Sequence, residues 1–240
     1  MTLNLLTLSN HKTMLGESRG YLTAILHLAP ERVSGFNACQ YAGACKATCL
    51  NTAGRGVYQN VQAARIRKTR WFFSDRPSFM AQLARDVETV CRKAAREKMT
   101  PVFRLNGTSD IPWERIPFGS HESIMSAFPE LQWYDYTKYP VARRLVLPSN
   151  YYLTQSLDVG IGSEREALTA LSIGRNVAVA FDAKKGTPLP SSFQLGSQSF
   201  PVIDGDVSDL RFLDASPVIV RLRAKGRARR DTSGFVRIAA

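Results

Sequence analysis

Three thiols stand close together in this sequence. Cys39, Cys45 and Cys49 fall within eleven positions, spaced Cys-x5-Cys-x3-Cys, in the stretch NACQYAGACKATCLNTAGRG over residues 37–56. The small Ala and Gly residues between them let the backbone wrap, so three thiolates can converge on one metal centre without a helix or strand between them. Zinc sites usually draw their ligands as C-x2-C or C-x4-C pairs followed by a second pair or by His, and no such pair follows here. Soft thiolates alone favour an iron–sulfur cluster, with four irons and four sulfides the expected form. A three-ligand cluster leaves one iron open to a small-molecule ligand. The alternative is three buried small apolar residues, since free Cys packs like a small hydrophobe. Cys91 lies in DVETVCRKAAREK, a helical pattern, and is expected to be structural.

The elements around these thiols are read from periodicity. Residues 20–28 (GYLTAILHL) are apolar and β-branched, bounded by Gly20 and Pro30, and predict a buried strand that feeds the cysteine loop. Helices are expected over residues 57–71, over 75–98 with Asp75 as cap and Pro77 in the first turn, near 121–128, and over 163–173. Strands are expected at 101–107, 131–137, 151–157, 176–182, 200–205 and 217–226. This alternation predicts an α/β fold: one domain spanning 1–240, a partial or distorted (βα) barrel with the cysteine loop after an early strand and a basic C-terminal segment. In such folds polar groups gather at the C-terminal ends of the strands. Asp110, Asp135 and Lys138 are the candidate catalytic or ligand-contacting residues at those ends; each is alternatively a local cap or turn.

The chain carries 32 Lys and Arg against 20 Asp and Glu, a net charge of +12 that attracts nucleic acid or other anions. One cluster comprises Arg65, Arg67, Lys68 and Arg70, and a second runs through RLRAKGRARRDTSGFVR. Lys225, Arg227, Arg229 and Arg230 of the second are the candidate nucleic-acid contacts, with Gly226 allowing a close backbone approach to phosphate. The alternative is a solvated strand edge protected by charge. Trp71, Phe72 and Phe73 would join such an interface, or else belong to the core. The three histidines, His11, His27 and His121, stand beside no nucleophile elbow, and no phosphate-binding Gly-rich loop occurs. No apolar run is long enough for a membrane span, and the N-terminus lacks the marks of a secretory signal, so a reducing cytoplasm is expected.

SGFNACQYAGACKATCLNTAGRG, ARIRKTRWFFSDR, PVFRLNGTSDIPWE, WYDYTKYP and LRAKGRARRDTSGFV together resemble a family of phage and mobile-element proteins, the phage gene-product-eighty-eight family, over nearly the whole chain. That resemblance implies a protein acting in a bacterial host's cytoplasm and brings no reaction with it. In topology the cysteine loop after the first strand is similar to radical S-adenosylmethionine enzymes, which implies S-adenosylmethionine as a cofactor, although the spacing differs from their Cys-x3-Cys-x2-Cys. Two functions follow as expectations: an iron–sulfur protein with a redox or radical role, or a nucleic-acid-binding protein whose metal site fixes the loop.

Overall fold

The computed structural model describes residues 4–8, 16–184, 186–188 and 190–238; His11 lies outside them. Two long helices follow the cysteine loop, α1 (Gln59–Ser74) and α2 (Arg76–Glu97). The break between them is chemical. The Asp75 carboxylate accepts a hydrogen bond from the Ser78 backbone N–H at 3.2 Å, and Pro77 occupies the first turn, where no intrahelical donor is needed. At the other end Lys98 turns left-handed (φ 54°) and Met99 N–H bonds back to Ala94 O at 2.9 Å, closing the helix. Phe79, Leu83, Val87, Val90 and Ala94 recur along α2 at three- and four-residue steps and are all buried, as an amphipathic helix requires. Shorter helices are α3 (Ile124–Ala127) and α4 (Ile161–Ser172).

The strands are β1 (Leu6–Thr7), β2 (Tyr21–Leu26), β3 (Thr100–Arg104), β4 (Gln132–Thr137), β5 (Tyr151–Ser156), β6 (Val177–Asp182), β7 (Ser192–Leu195), β8 (Gln198–Asp204), β9 (Ile219–Arg223) and β10 (Val236–Ile238). Hydrogen-bonded neighbours run β1-β2-β3-β4-β5-β6-β9-β8-β7, with β10 also pairing β6. The expected barrel is therefore corrected: the sheet is mixed and open. It does not close because the antiparallel partners at its two ends, β1 on β2 and β7 on β8, each leave an outer edge.

By its contacts the chain divides into two compact units, and β4 and β5 carry residues of both. The first takes in Met1–Gln40, Gln59–Asp135 and Val146–Tyr152. Its β2 and β3 run parallel in the register Thr23 to Val102, and β3 runs parallel to β4. Phe72 sits in its core at 5.3 Å from the Phe79 ring and 5.1 Å from Trp113, and Phe73 stacks on Phe36 at 4.9 Å. Of the aromatic run at 71–73, Phe72 is core and Trp71 and Phe73 are half-buried; truncating Phe72 to Ala should cost about 3–5 kcal/mol. The basic cluster at 65–70 is split: Arg65 and Lys68 are buried, Arg67 and Arg70 exposed. Lys68 donates to Leu5 O at 2.6 Å, and burial pulls its ammonium down to about 8. Arg70 Nε donates to Ser34 O at 3.0 Å.

The second unit takes in Tyr41–Tyr58, Tyr136–Leu145 and Leu153–Ala240. Here β6 is parallel to β9 (Val177 to Ile219), β9 to β8 (Ile219 to Val202), and β10 to β6. Alternation sorts the side chains by face. Val177, Val179, Phe181 and Ile219 pack with Ala167, Ala170 and Leu171 of α4, while Ala178 and Val220 point the other way and pack with Val218. No helix among the described residues is long and apolar enough to cross a membrane.

Candidate functional site

In the first unit the parallel strands bring polar loops together at their C-terminal ends. Cys39 follows β2 and pairs as an isolated parallel bridge with Asp110, which follows β3; Asp110 N–H donates to Ala38 O at 2.8 Å. The Cys39 Sγ lies 3.9 Å from Thr108 O, and its backbone N–H donates to Asn37 Oδ1 at 3.0 Å. Asp135, at the end of β4, is fully buried. Its Oδ1 accepts from Asn106 N–H at 2.7 Å, and its Oδ2 accepts from the Tyr151 hydroxyl at 3.0 Å and the Asn106 amide at 3.4 Å. Asn106 in turn accepts on Oδ1 from Ser109 Oγ, Ile111 N–H and Trp113 Nε1 at 2.9–3.1 Å. The candidate carboxylate at 135 therefore fixes the loop after β3, and Asn106 is the hub of that network.

In the second unit the rest of the cysteine loop folds as three short 3-10 turns, Ala44–Lys46, Leu50–Thr52 and Gly54–Val57. Asp158, just past β5, is its anchor. The Ala44 N–H donates to Asp158 Oδ1 at 3.1 Å, and a Cβ placed on Gly43 would lie 3.0 Å from Asp158 Oδ2, so a larger residue there would collide with the carboxylate. The Lys138 ammonium sits 3.4 Å from Asp158 Oδ2, donates to Leu157 O at 3.4 Å and lies 4.9 Å from the centre of the Phe235 ring. Lys138 thus stands beside the loop, next to Asp158, whose only sequence signal is an acidic residue at a strand end before Gly160. Burial pushes the Cys45 thiol up to about 11 against the pull of Lys138, with the Asp158 and Cys49 charges adding to the rise. Cys49 caps the Leu50–Thr52 turn, its Sγ accepting from Asn51 N–H at 3.5 Å. Cys91 lies on α2, as expected.

The basic C-terminal segment packs on this same loop within the second unit, and it splits into two sets. Arg221 is buried and pairs with Asp204 at 3.4 Å; Arg223 and Lys225 both pair with Asp206 at 2.8 Å. These cations are held by carboxylates on and just after β8, whose parallel register sets Asp204 opposite Arg221. Lys225 of the candidate nucleic-acid set is thus already engaged by a carboxylate, although its side chain is 40% exposed. The next turn, Gly226–Arg230, behaves differently: Ala228 is buried, Arg227, Arg229 and Arg230 are exposed, and among the described residues neither Arg227 nor Arg230 pairs with a carboxylate. Gly226 carries a left-handed φ of +57°, and a Cβ on it would stand 3.1 Å from the Ala53 Cβ. Its close approach is to the cysteine loop. Between the two segments lies an open concavity of about 760 Å³ lined by Thr48, Thr52, Arg227, Arg229, Arg230 and Ser233, with one carboxylate, Asp231, which accepts from Ser233 Oγ at 2.7 Å. Guanidinium forks and hydroxyls facing one hollow are the donor set for phosphate oxygens.

Asp206 gives this arrangement a pH signature. Burial pulls its carboxyl upward, but hydrogen bonds from Lys225 and Arg223 more than offset this and hold it at about 2, below the ordinary 3.8. Between those values the unfolded chain binds the extra proton. The contribution, about 2 kcal/mol, is therefore full above pH 3.8 and lost as pH falls toward 2. In urea melts Asp206→Asn should lower stability by that amount at pH 6, and the gap from wild type should close as pH is lowered. A gap independent of pH would assign the loss to packing.

Among the described residues no group of three or more His, Cys, Asp and Glu side chains comes together as a metal ion needs. Of the three candidate ligands, Cys39 belongs to the first unit and Cys45 and Cys49 to the second. A family model described as Gene product 88 matches residues 4–238. No curated protein and no solved structure matches, so the likeness to radical S-adenosylmethionine enzymes gains no support.

Proposed function

We propose that this chain, which belongs to the Gene product 88 family, is a nucleic-acid-binding protein whose second unit holds backbone phosphates in the hollow between the cysteine loop and the Gly226–Arg230 turn. The observation that carries the reading is the exposure of Arg227, Arg229 and Arg230 around one concavity, while Arg221, Arg223 and Lys225 before them are paired with Asp204 and Asp206. Ion-paired cations release no counterions on binding, whereas unpaired ones facing a hollow do. The net charge of +12 steers a polyanion toward the protein. The test is fluorescence anisotropy of a labelled oligonucleotide titrated with the wild-type protein between about 50 and 200 mM salt. Binding that weakens steeply with salt supports the reading; no binding at the lower salt rejects it.

The thiols support a second reading, an iron–sulfur protein. Cys45 and Cys49 share one loop of one unit and feel each other's charge, and Cys39 lies six residues before Cys45. Anaerobic expression with ample iron should then give stoichiometric iron and acid-labile sulfide, lost in Cys39→Ser, Cys45→Ser and Cys49→Ser and kept in Cys91→Ser. Protein free of both iron and sulfide under those conditions would leave the cysteines to packing.

A further inference from the structure

The cysteine loop exposes large apolar side chains where solvent should disfavour them. Leu50 is 47% exposed, Val57 61% and Tyr58 59%. The backbone beneath them is fixed: Asn51 and Gly56 are buried, and Tyr58 N–H donates to Arg55 O at 3.3 Å, ending the Gly54–Val57 turn. The same loop supplies Thr48 and Thr52 to the arginine-lined hollow, and its Ala53 is the residue against which Gly226 is set. Arg55, also exposed, stands between Ala53 and Tyr58.

An exposed aromatic ring on a loop that packs against a turn of exposed arginines, as Ala53 packs against Gly226, is a combination by which proteins hold unpaired bases: cations follow the backbone, and the ring takes a base face. A duplex offers its phosphates but keeps its bases stacked inside, so it would use the arginines and leave the ring idle. From Ala53 to Tyr58 the chain advances roughly 10 Å at the rise of a 3-10 turn. That separation falls within the span of the roughly four or more nucleotides such sites accommodate.

Resting on the nucleic-acid reading above, we infer that the ligand is a single strand, with its phosphates at Arg227, Arg229 and Arg230 and a base stacked on Tyr58. The experiment compares one labelled oligonucleotide, free and annealed to its complement, against wild type, Tyr58→Ala, Tyr58→Phe and the triple arginine-to-alanine variant. Wild type should prefer the single strand. Tyr58→Ala should weaken single-strand binding roughly ten- to a hundredfold, leave duplex binding and the melting temperature unchanged, and be rescued by Tyr58→Phe, which keeps the ring. An unchanged single-strand affinity in Tyr58→Ala, or an equal loss for both forms, overturns the inference while sparing phosphate binding at the arginines. Failure of wild type to bind either form removes the underlying reading as well.

Discussion

The triple variant Arg227→Ala, Arg229→Ala, Arg230→Ala should lose about a hundredfold in affinity for an oligonucleotide at low salt, and its plot of log K against log salt should flatten by about 2, the share of three phosphate contacts on a single strand. Lys225→Ala should leave that slope close to wild type, because its ammonium is engaged by Asp206 at 2.8 Å. The contrast within one short segment is the informative part. A non-specific effect of positive charge would make every cation equivalent, and Lys225→Ala would then flatten the slope as much as any single arginine variant. Each arginine is exposed and belongs to a turn pinned by buried Ala228 and by Gly226 on Ala53, so truncation should not unfold the unit. An unchanged slope in the triple variant would return the segment to a purely structural role.

Sequence spacing could not separate Lys225 from Arg227, and the reason is non-local. The carboxylates that neutralise Arg221, Arg223 and Lys225 lie on and just after β8, and only the parallel register of β8 on β9 brings them opposite. Local signals fared better. The Asp75 cap, the early Pro77 and the end of α2 near Lys98 were legible because each is decided within a turn of helix. The alternation through residues 176–182 was legible for the same reason, since each face of β6 packs against its own apolar neighbours. What failed was closure. The insertion of β9 between β6 and β8, and the return of the three-residue β10 to pair with β6, leave no periodic trace, so alternating elements read as a barrel where the sheet is open.

The candidate site was partly legible for a related reason. Parallel strands do bring their C-terminal loops together, which is why Cys39 meets Asp110 in one unit and Lys138 meets the Cys45 loop in the other. Whether a carboxylate at such an end faces outward or is consumed by the scaffold depends on donors from other loops. Asp158 and Asp135 illustrate this: both are buried and both receive backbone N–H groups from a distant segment.

Asp135 carries the larger consequence for stability. Asp135→Ala should cost the first unit about 3 kcal/mol, because it removes the acceptor of the Asn106 N–H, of one Asn106 amide hydrogen and of the Tyr151 hydroxyl at a fully buried site, and a buried donor that loses its acceptor carries a penalty of about 1–3 kcal/mol. Asp135→Asn should cost less, since one amide oxygen can still accept from Asn106 N–H, while the amide group must now face two donors. Trp113 reports the damage locally: its indole N–H bonds Asn106 Oδ1 at 3.1 Å, and loss of the network should loosen the loop and shift its emission to the red. Urea denaturation followed by tryptophan fluorescence and by circular dichroism reads both effects. Wild-type stability in Asp135→Ala together with weakened ligand binding would mean that the carboxylate serves a ligand after all; lost stability with normal binding at the arginine hollow would fix its role as the clamp on the loop after β3.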